Sequence, residues 1–428
     1  MKIRAQSNRQ GHTVILTLVV CLVLGIVLLG IIKLANTEGQ MTGRSQNWNN
    51  ALPIAEAGIE EALTHLKYSP SNRSANGWAL VDGRYTRTRA FKDGSYTVTI
   101  SGDYNPIIRS TAWMRAPGQK DYSVHRQILV KATNQPMFTA ALEAPVAVIL
   151  KGNGTHIDSY DSRDPLHSTS TGAYDPKRPK DGGDVICYGG SGSLDIGNGD
   201  IDGKIKTGPD TTYSVGANGS VGSLTWGGGG VQPGWVEEAP ETEYPMVAAP
   251  TGGAKPAVGS GVNKNYQWVI SAPGLSEVPS INGSVLVTAS NVTLVVRNTL
   301  SMAPKDSLDI KAGASLTLIV DAADVSLSGV ANATTDALKF QYYGTQNNVS
   351  ISMGGNAEFI GVLYAPNAIL NLNGGGSGSA VDFSGAIIAK QVKVNGHYNF
   401  HFDEATRRFG SRGIVAASWD ELSPDDKL

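Results

Sequence analysis

The hydrophobic pattern of this chain changes twice. Thr13 to Ile32 is a run of twenty residues without a charge. A helix rises about 1.5 Å per residue, so such a run matches the roughly 30 Å hydrocarbon core of a bilayer. In ALPIAEAGIEEALTHL, residues 51–66, apolar positions become periodic instead. Leu52, Ala55, Ile59, Ala62 and Leu66 recur at three- and four-residue spacing, while Glu56, Glu60, Glu61 and Lys67 fall mostly off that stripe. The pattern predicts one long helix over 12–68, apolar all round at first and amphipathic later. Pro53, Gly39 and Gly43 mark places where it could bend or break.

From residue 75 to 135 the period shortens to two. DGRYTRTRAF, GSYTVTISGD, IIRSTAWMRA and YSVHRQILVKA alternate apolar and polar residues between Asp-Gly, Asn-Pro and Pro-Gly turns. An antiparallel sheet over 69–136, covering the helix stripe, is the expectation. Its alternating Arg and Lys read first as a solvated face, and second as a patch for phosphate or polysaccharide.

Beyond residue 137 the strands become shorter and richer in glycine. Residues 137–225 read as the first part of a β-solenoid, 226–265 as a Gly/Pro-rich loop or linker within or between β regions, and 266–410 as the main β-solenoid, with 411–428 as a tail. Gly361-Val-Leu-Tyr-Ala recurs 24 residues later as Gly385-Ala-Ile-Ile-Ala. Asn and Gly at the corners of a short repeat suit a right-handed parallel β-helix or solenoid. A β-sandwich is the alternative. The expected class is thus an α+β N-terminal part followed by a mainly-β domain.

Composition narrows the functions. The formal net charge of −2 gives no electrostatic case for nucleic acid. The two cysteines, Cys21 inside the apolar run and Cys187 far from it, do not suit a disulfide. Lys2, Arg4 and Arg9 precede the run and no acid appears before Glu38, which favours a single-pass helix with its N-terminus inside. The run is longer than an export signal's apolar core, and no clean small-x-small site follows it.

No G-x-S-x-G, H-E-x-x-H or G-x-x-x-x-G-K-[ST] pattern occurs. His397 and His401 lie in a strand-like stretch, about 13 Å apart along it, too far for one zinc ion. DSYDSRDP brings Asp158, Asp161 and Asp164 together, read mainly as a hydrogen-bonded turn. Asn198-x-Asp200-x-Asp202-Gly203 looks like half of a calcium loop, but the twelfth position is Pro209 rather than glutamate. No catalytic residue is assigned and no cofactor is expected, with structural calcium left open.

The Arg9-Gln10-Gly11 leader end, the apolar run and Ala55-Glu56-Ala57-Gly58-Ile59-Glu60-Glu61-Ala62-Leu63 resemble the PilX-type minor pilins and the K-type pseudopilins of type II secretion. The resemblance implies a leader over 1–11, cut by a prepilin peptidase between Gly11 and His12. It implies a helix first held in the bacterial inner membrane, then packed among other pilins in a periplasmic or extracellular filament through Val14, Leu16, Val19, Val23, Ile26 and Ile31. Most pilins carry glutamate where Leu16 stands; K-type pseudopilins lack it and sit at the tip, so a tip position displaying the β region to an unknown surface ligand is expected. GVLYAPN at 361–367, FHFDE at 400–404 and DSYDS at 158–162 also resemble a domain fused to PilX-like leaders in bacterial envelope proteins. Two rivals are a membrane-tethered β-helix carbohydrate enzyme, marked by carboxylates in one groove, and an uncleaved envelope scaffold.

Overall fold

The computed structural model describes residues 10–68, 73–102, 105–115, 122–152, 154–240, 242–261, 264–328, 330–332, 334–354, 358–374 and 380–423. The chain forms two units, residues 1–135 with 413–428, and residues 136–412.

The first unit is built on α1, Gln10–Tyr68, a single helix of 59 residues that continues through Pro53. The bends allowed for at Gly39, Gly43 and Pro53 do not interrupt it. From Val14 to Leu34 every large apolar side chain is exposed, Val20 least at 48% and Leu29 most at 68%. No face is preferred, so the first half of α1 finds its apolar partners outside this chain's fold. Its most apolar stretch has a mean hydropathy of 3.3 and none of it is buried, which makes it a candidate membrane span or signal sequence.

The second half behaves differently. Ala51, Ala55, Ile59, Ala62 and Leu66 are fully or almost fully buried, while Leu52, expected on the stripe, sits half-buried at its flank. They pack on an antiparallel sheet of β1 (Ala79–Val81), β2 (Arg84–Ala90), β3 (Gly94–Ser101), β4 (Ile107–Arg115) and β5 (Tyr122–Pro136). Period-two alternation turns Tyr96, Val98 and Ile100 of β3, and Ile108, Ala112 and Met114 of β4, toward the helix. Gly58 permits a close approach: a Cβ there would lie 2.3 Å from Ser110 Oγ. The arginines of β2 are not simply solvated. Arg87 Nε lies 3.1 Å from Glu61, and Arg89 Nη2 donates to the same carboxylate at 2.6 Å. Residues 411–428 were expected as a tail; instead Ser411–Leu422 is a strand at the β5 edge of this sheet, and Arg126 pairs with its Glu421. Pairing with a long neighbouring strand supplies the order that its own sequence does not announce.

The second unit is a mainly-β body whose described strands pair in parallel, apart from the antiparallel pair Ala257–Gly261 and Lys264–Ile270, where a β-sandwich is built from antiparallel ones. Within it lie β6 (Leu142–Ala144), β7 (Ala147–Leu150), β8 (His156–Tyr160) and β9 (Val185–Cys187). One ladder of paired residues runs Leu294, Leu318, Tyr342, Leu363, Ile387, Leu142, Val185, Ile205. All eight are fully buried. The ladder therefore passes from the chain's late strands directly to its early ones. The recurring glycines pair as expected, Gly361 with Gly385. Gly385 has φ +140°, and a Cβ there would lie 1.8 Å from the Gly361 carbonyl oxygen, so only glycine fits that step of the stack.

Residues 137–225 and 266–410 belong to one unit, and 226–265 lies within it. It contains the strands Gly230–Val231, Val236–Glu238 and Ala257–Gly261. Between them it runs back along the stack. Tyr244 donates to Glu143, Tyr364 donates to the Pro245 carbonyl, Arg297 donates to the Pro250 carbonyl, and Gly252 N–H donates to Glu277.

Candidate functional site

Alternation in parallel strands creates the most chemically dense face of the second unit. Four neighbouring strands each contribute a polar-apolar-polar triplet, Asp382-Phe383-Ser384, Asn399-Phe400-His401, His156-Ile157-Asp158 and Asp200-Ile201-Asp202, and a fifth strand beside them begins at Phe359 with Glu358 just before it. The central residues point inward, where Phe359 stacks on Phe383 at 4.3 Å between centroids and Phe383 meets Phe400 at 6.0 Å. Because successive side chains point to opposite faces, that aromatic row forces its polar neighbours outward. Ser384, His401 and Asp158 then stand side by side in register, as do Asp382, Asn399 and His156.

The segment between β8 and β9, residues 161–184, covers this face. Tyr174 is its pin: its ring stacks on His401 with centroids 3.6 Å apart, and its hydroxyl donates to Asp158 Oδ2 at 2.5 Å. Lys180 pairs with Glu404, and Gly182 N–H donates to Ser159 Oγ at 2.8 Å. A cavity of about 500 Å³ remains beneath it, lined by His156, Asp158, Tyr160, Tyr174, Glu358, Asp382, Ser384, Asn399 and His401, with Ala173, Pro176, Pro179 and Ile360 adding apolar surface and Thr335 a hydroxyl.

His401 Nδ1 donates to Asp158 Oδ1 at 2.6 Å, and its Nε2 lies 3.6 Å from Asp382. Asn399 donates to the same Asp382 oxygen at 2.9 Å. His156 Nε2 lies 3.3 Å from Asp202 and 3.6 Å from Asp158. Burial opposes the charged form of His401, but Asp158 and Asp382 outweigh it and raise its pKa. Hydrogen bonding to Asp158 and Asp202 raises that of His156 to about 10, against burial. Burial works to raise Asp158, yet His156, His401 and Tyr174 together bring it below the ordinary carboxylate value. The two more open carboxyls are driven apart: His401 lowers Asp382, while burial, aided by the charge of Asp382, raises Glu358.

Of the acidic residues singled out in the sequence, only Asp158 lines the cavity. Asp161 and Asp164 cap backbone turns, accepting from Arg163 N–H at 3.0 Å and Leu166 N–H at 2.9 Å. Asp202 reaches His156, Asp200 accepts from Ser220 Oγ at 2.8 Å, and Asn198 accepts from Asn218 N–H at 3.3 Å, so the three do not converge. Among the described residues no three His, Cys, Asp or Glu side chains gather as a metal site. Gly11 and His12 lie in the first turn of α1, and the leader residues before Gln10 fall outside the described residues. Val14, Leu16, Val19, Val23, Ile26 and Ile31 are all exposed. Sequence reasoning missed Glu358, Asp382, Asn399 and Tyr174, and set His401 aside; the recurring polar-apolar-polar triplet was the available signal.

Comparison with known proteins adds one match. Residues 280–409 fit a family described as a domain of unknown function (DUF7305). That stretch carries Glu358, Asp382, Asn399 and His401, while Asp158 and Tyr174 lie outside it. No curated protein and no solved structure matches the chain.

Proposed function

We propose that this protein is a minor-pilin-like or pseudopilin-like component of a type IV pilus or type II secretion filament. In this reading a prepilin peptidase cuts between Gly11 and His12 after insertion into the bacterial inner membrane. α1 then leaves the lipid to pack among other pilin helices, and the second unit, read as a β-solenoid, is carried outward as a binding surface. The observation that carries the proposal is the division of α1: one unbroken helix, bare and apolar on every face in its first half and covered by a sheet in its second. A helix apolar all round needs lipid or other helices about it, and it can exchange one dry surrounding for the other. Leu16, where most pilins have glutamate, favours a tip position. A photo-crosslinking residue placed at Val19, Val23 or Ile26 is expected to capture the N-terminal helix of another pilin in sheared filaments. Adducts with lipid alone would sink the idea.

A second reading, a membrane-tethered carbohydrate enzyme, is favoured by one observation: Glu358 and Asp382 share a cavity and have pKa values pushed in opposite directions. Such a split suits an acid and a base. Release of reducing ends from a polysaccharide, lost in Glu358→Gln and Asp382→Asn, is its test; no release from any polysaccharide tried, or release undiminished in both variants, rejects it.

A further inference from the structure

We propose that the cavity under residues 161–184 binds a glycan unit that carries no acidic group, a sugar with a free amine being the best match. This goes beyond display of a surface, and it requires neither turnover nor entry into a filament.

Size is the first ground. At about 500 Å³ the cavity falls within the roughly 300–1,000 Å³ of ordinary ligand sites. Charge is the second. Among the described residues lining it there is no lysine or arginine, and both of its imidazoles are already matched, His401 by Asp158 and Asp382, and His156 by Asp202 and Asp158. Three carboxyls, Asp158, Asp382 and Glu358, line the same space, so an anionic ligand meets repulsion with no free cation to offset it. Chemistry of the walls is the third. Glu358 and Asp382 offer acceptor oxygens to hydroxyl or ammonium donors. Tyr160 is fully buried behind the cavity wall, its hydroxyl beside Ser384. Pro176, Pro179 and Ile360 supply the apolar wall that the carbon face of a sugar ring covers. A ligand rich in donors, poor in negative charge and apolar on one face fits all three.

The wall is also preorganised. Tyr174 is fixed at both its ring and its hydroxyl, so little ordering accompanies binding.

Isothermal titration of the full chain in detergent tests this with three probes: a glucosamine tetramer, its N-acetylated counterpart and a galacturonate tetramer. The glucosamine tetramer should bind, more tightly at low than at high salt, and the N-acetylated one more weakly. The galacturonate tetramer should show no heat. Glu358→Gln and Asp382→Asn should each weaken glucosamine binding at least tenfold. Since Asp382 also holds Asn399, Glu358→Gln decides the matter if Asp382→Asn does not fold. Failure of both glucosamine and N-acetylglucosamine probes to bind, equal binding of galacturonate, or unchanged affinity in Glu358→Gln overturns the proposal.

Discussion

At the scale of single residues, burial of charge is the dominant constraint. Arg412 and Glu143 are buried together; Nη1 donates to Glu143 Oε1 at 2.6 Å, and Nε donates to the Met137 carbonyl at 2.8 Å. Removing one member of such a pair strands the other. Arg412→Ala is therefore expected to lower the unfolding free energy of the second unit by about 3–5 kcal/mol, read from urea denaturation. A change below about 1 kcal/mol would show that the pair is solvated. The cavity histidines make a prediction with a definite sign. Their pKa values are raised in the folded state, so their contribution is complete below the ordinary histidine value near 6.5 and is lost as pH rises, by about 10 for His156. Asp158 and Asp382 are lowered, so theirs is complete above the ordinary carboxylate range and lost on acidification. Thermal stability should fall from pH 7 to 10 in the wild type, and fall less in a chain carrying His156→Asn and His401→Asn. Parallel pH curves for the two proteins would contradict this assignment. The triplets that build this face were legible as local alternation. That Asp158 meets His401, 243 residues away, was not, because no local pattern encodes which strands become neighbours.

At the scale of elements, α1 was the most legible part of the chain. Spacing located its stripe, and only the outermost member shifted, from Leu52 to Ala51. The strand Ser411–Leu422 was not legible, since an edge strand takes its order from its neighbour's hydrogen bonds rather than from its own pattern. The covered half of the helix depends on Gly58. Gly58→Leu should push helix and sheet apart and destabilise the first unit by about 1–3 kcal/mol or more. Gly39→Leu should be neutral or slightly stabilising, because nothing lies within 4 Å of a Cβ there. Circular dichroism melts of the two variants distinguish them, and equal effects would mean that Gly58 is not a contact point.

At the scale of the whole molecule, the order of strands in the second unit differs from their order in the sequence. β6 and β7 pair with Val381–Val394, and β8 pairs with Tyr398–Asp403. The 24-residue repeat announced parallel stacking, but it could not announce that the early strands stack on the last ones. Residues 137–240 accordingly lack a complete core by themselves. A fragment of 137–240 should lack the cooperative melt that a fragment of 137–412 shows; two independent melts within 137–412 would argue for separate domains. The bare half of α1 sets the larger question, whether it is processed and released from lipid among sister helices as proposed above. Mass spectrometry of the mature N-terminus, in cells with and without a prepilin peptidase, addresses it most directly. A chain beginning at His12 only when the peptidase is present is the predicted result, and a chain beginning at Met1 in both strains would contradict filament assembly.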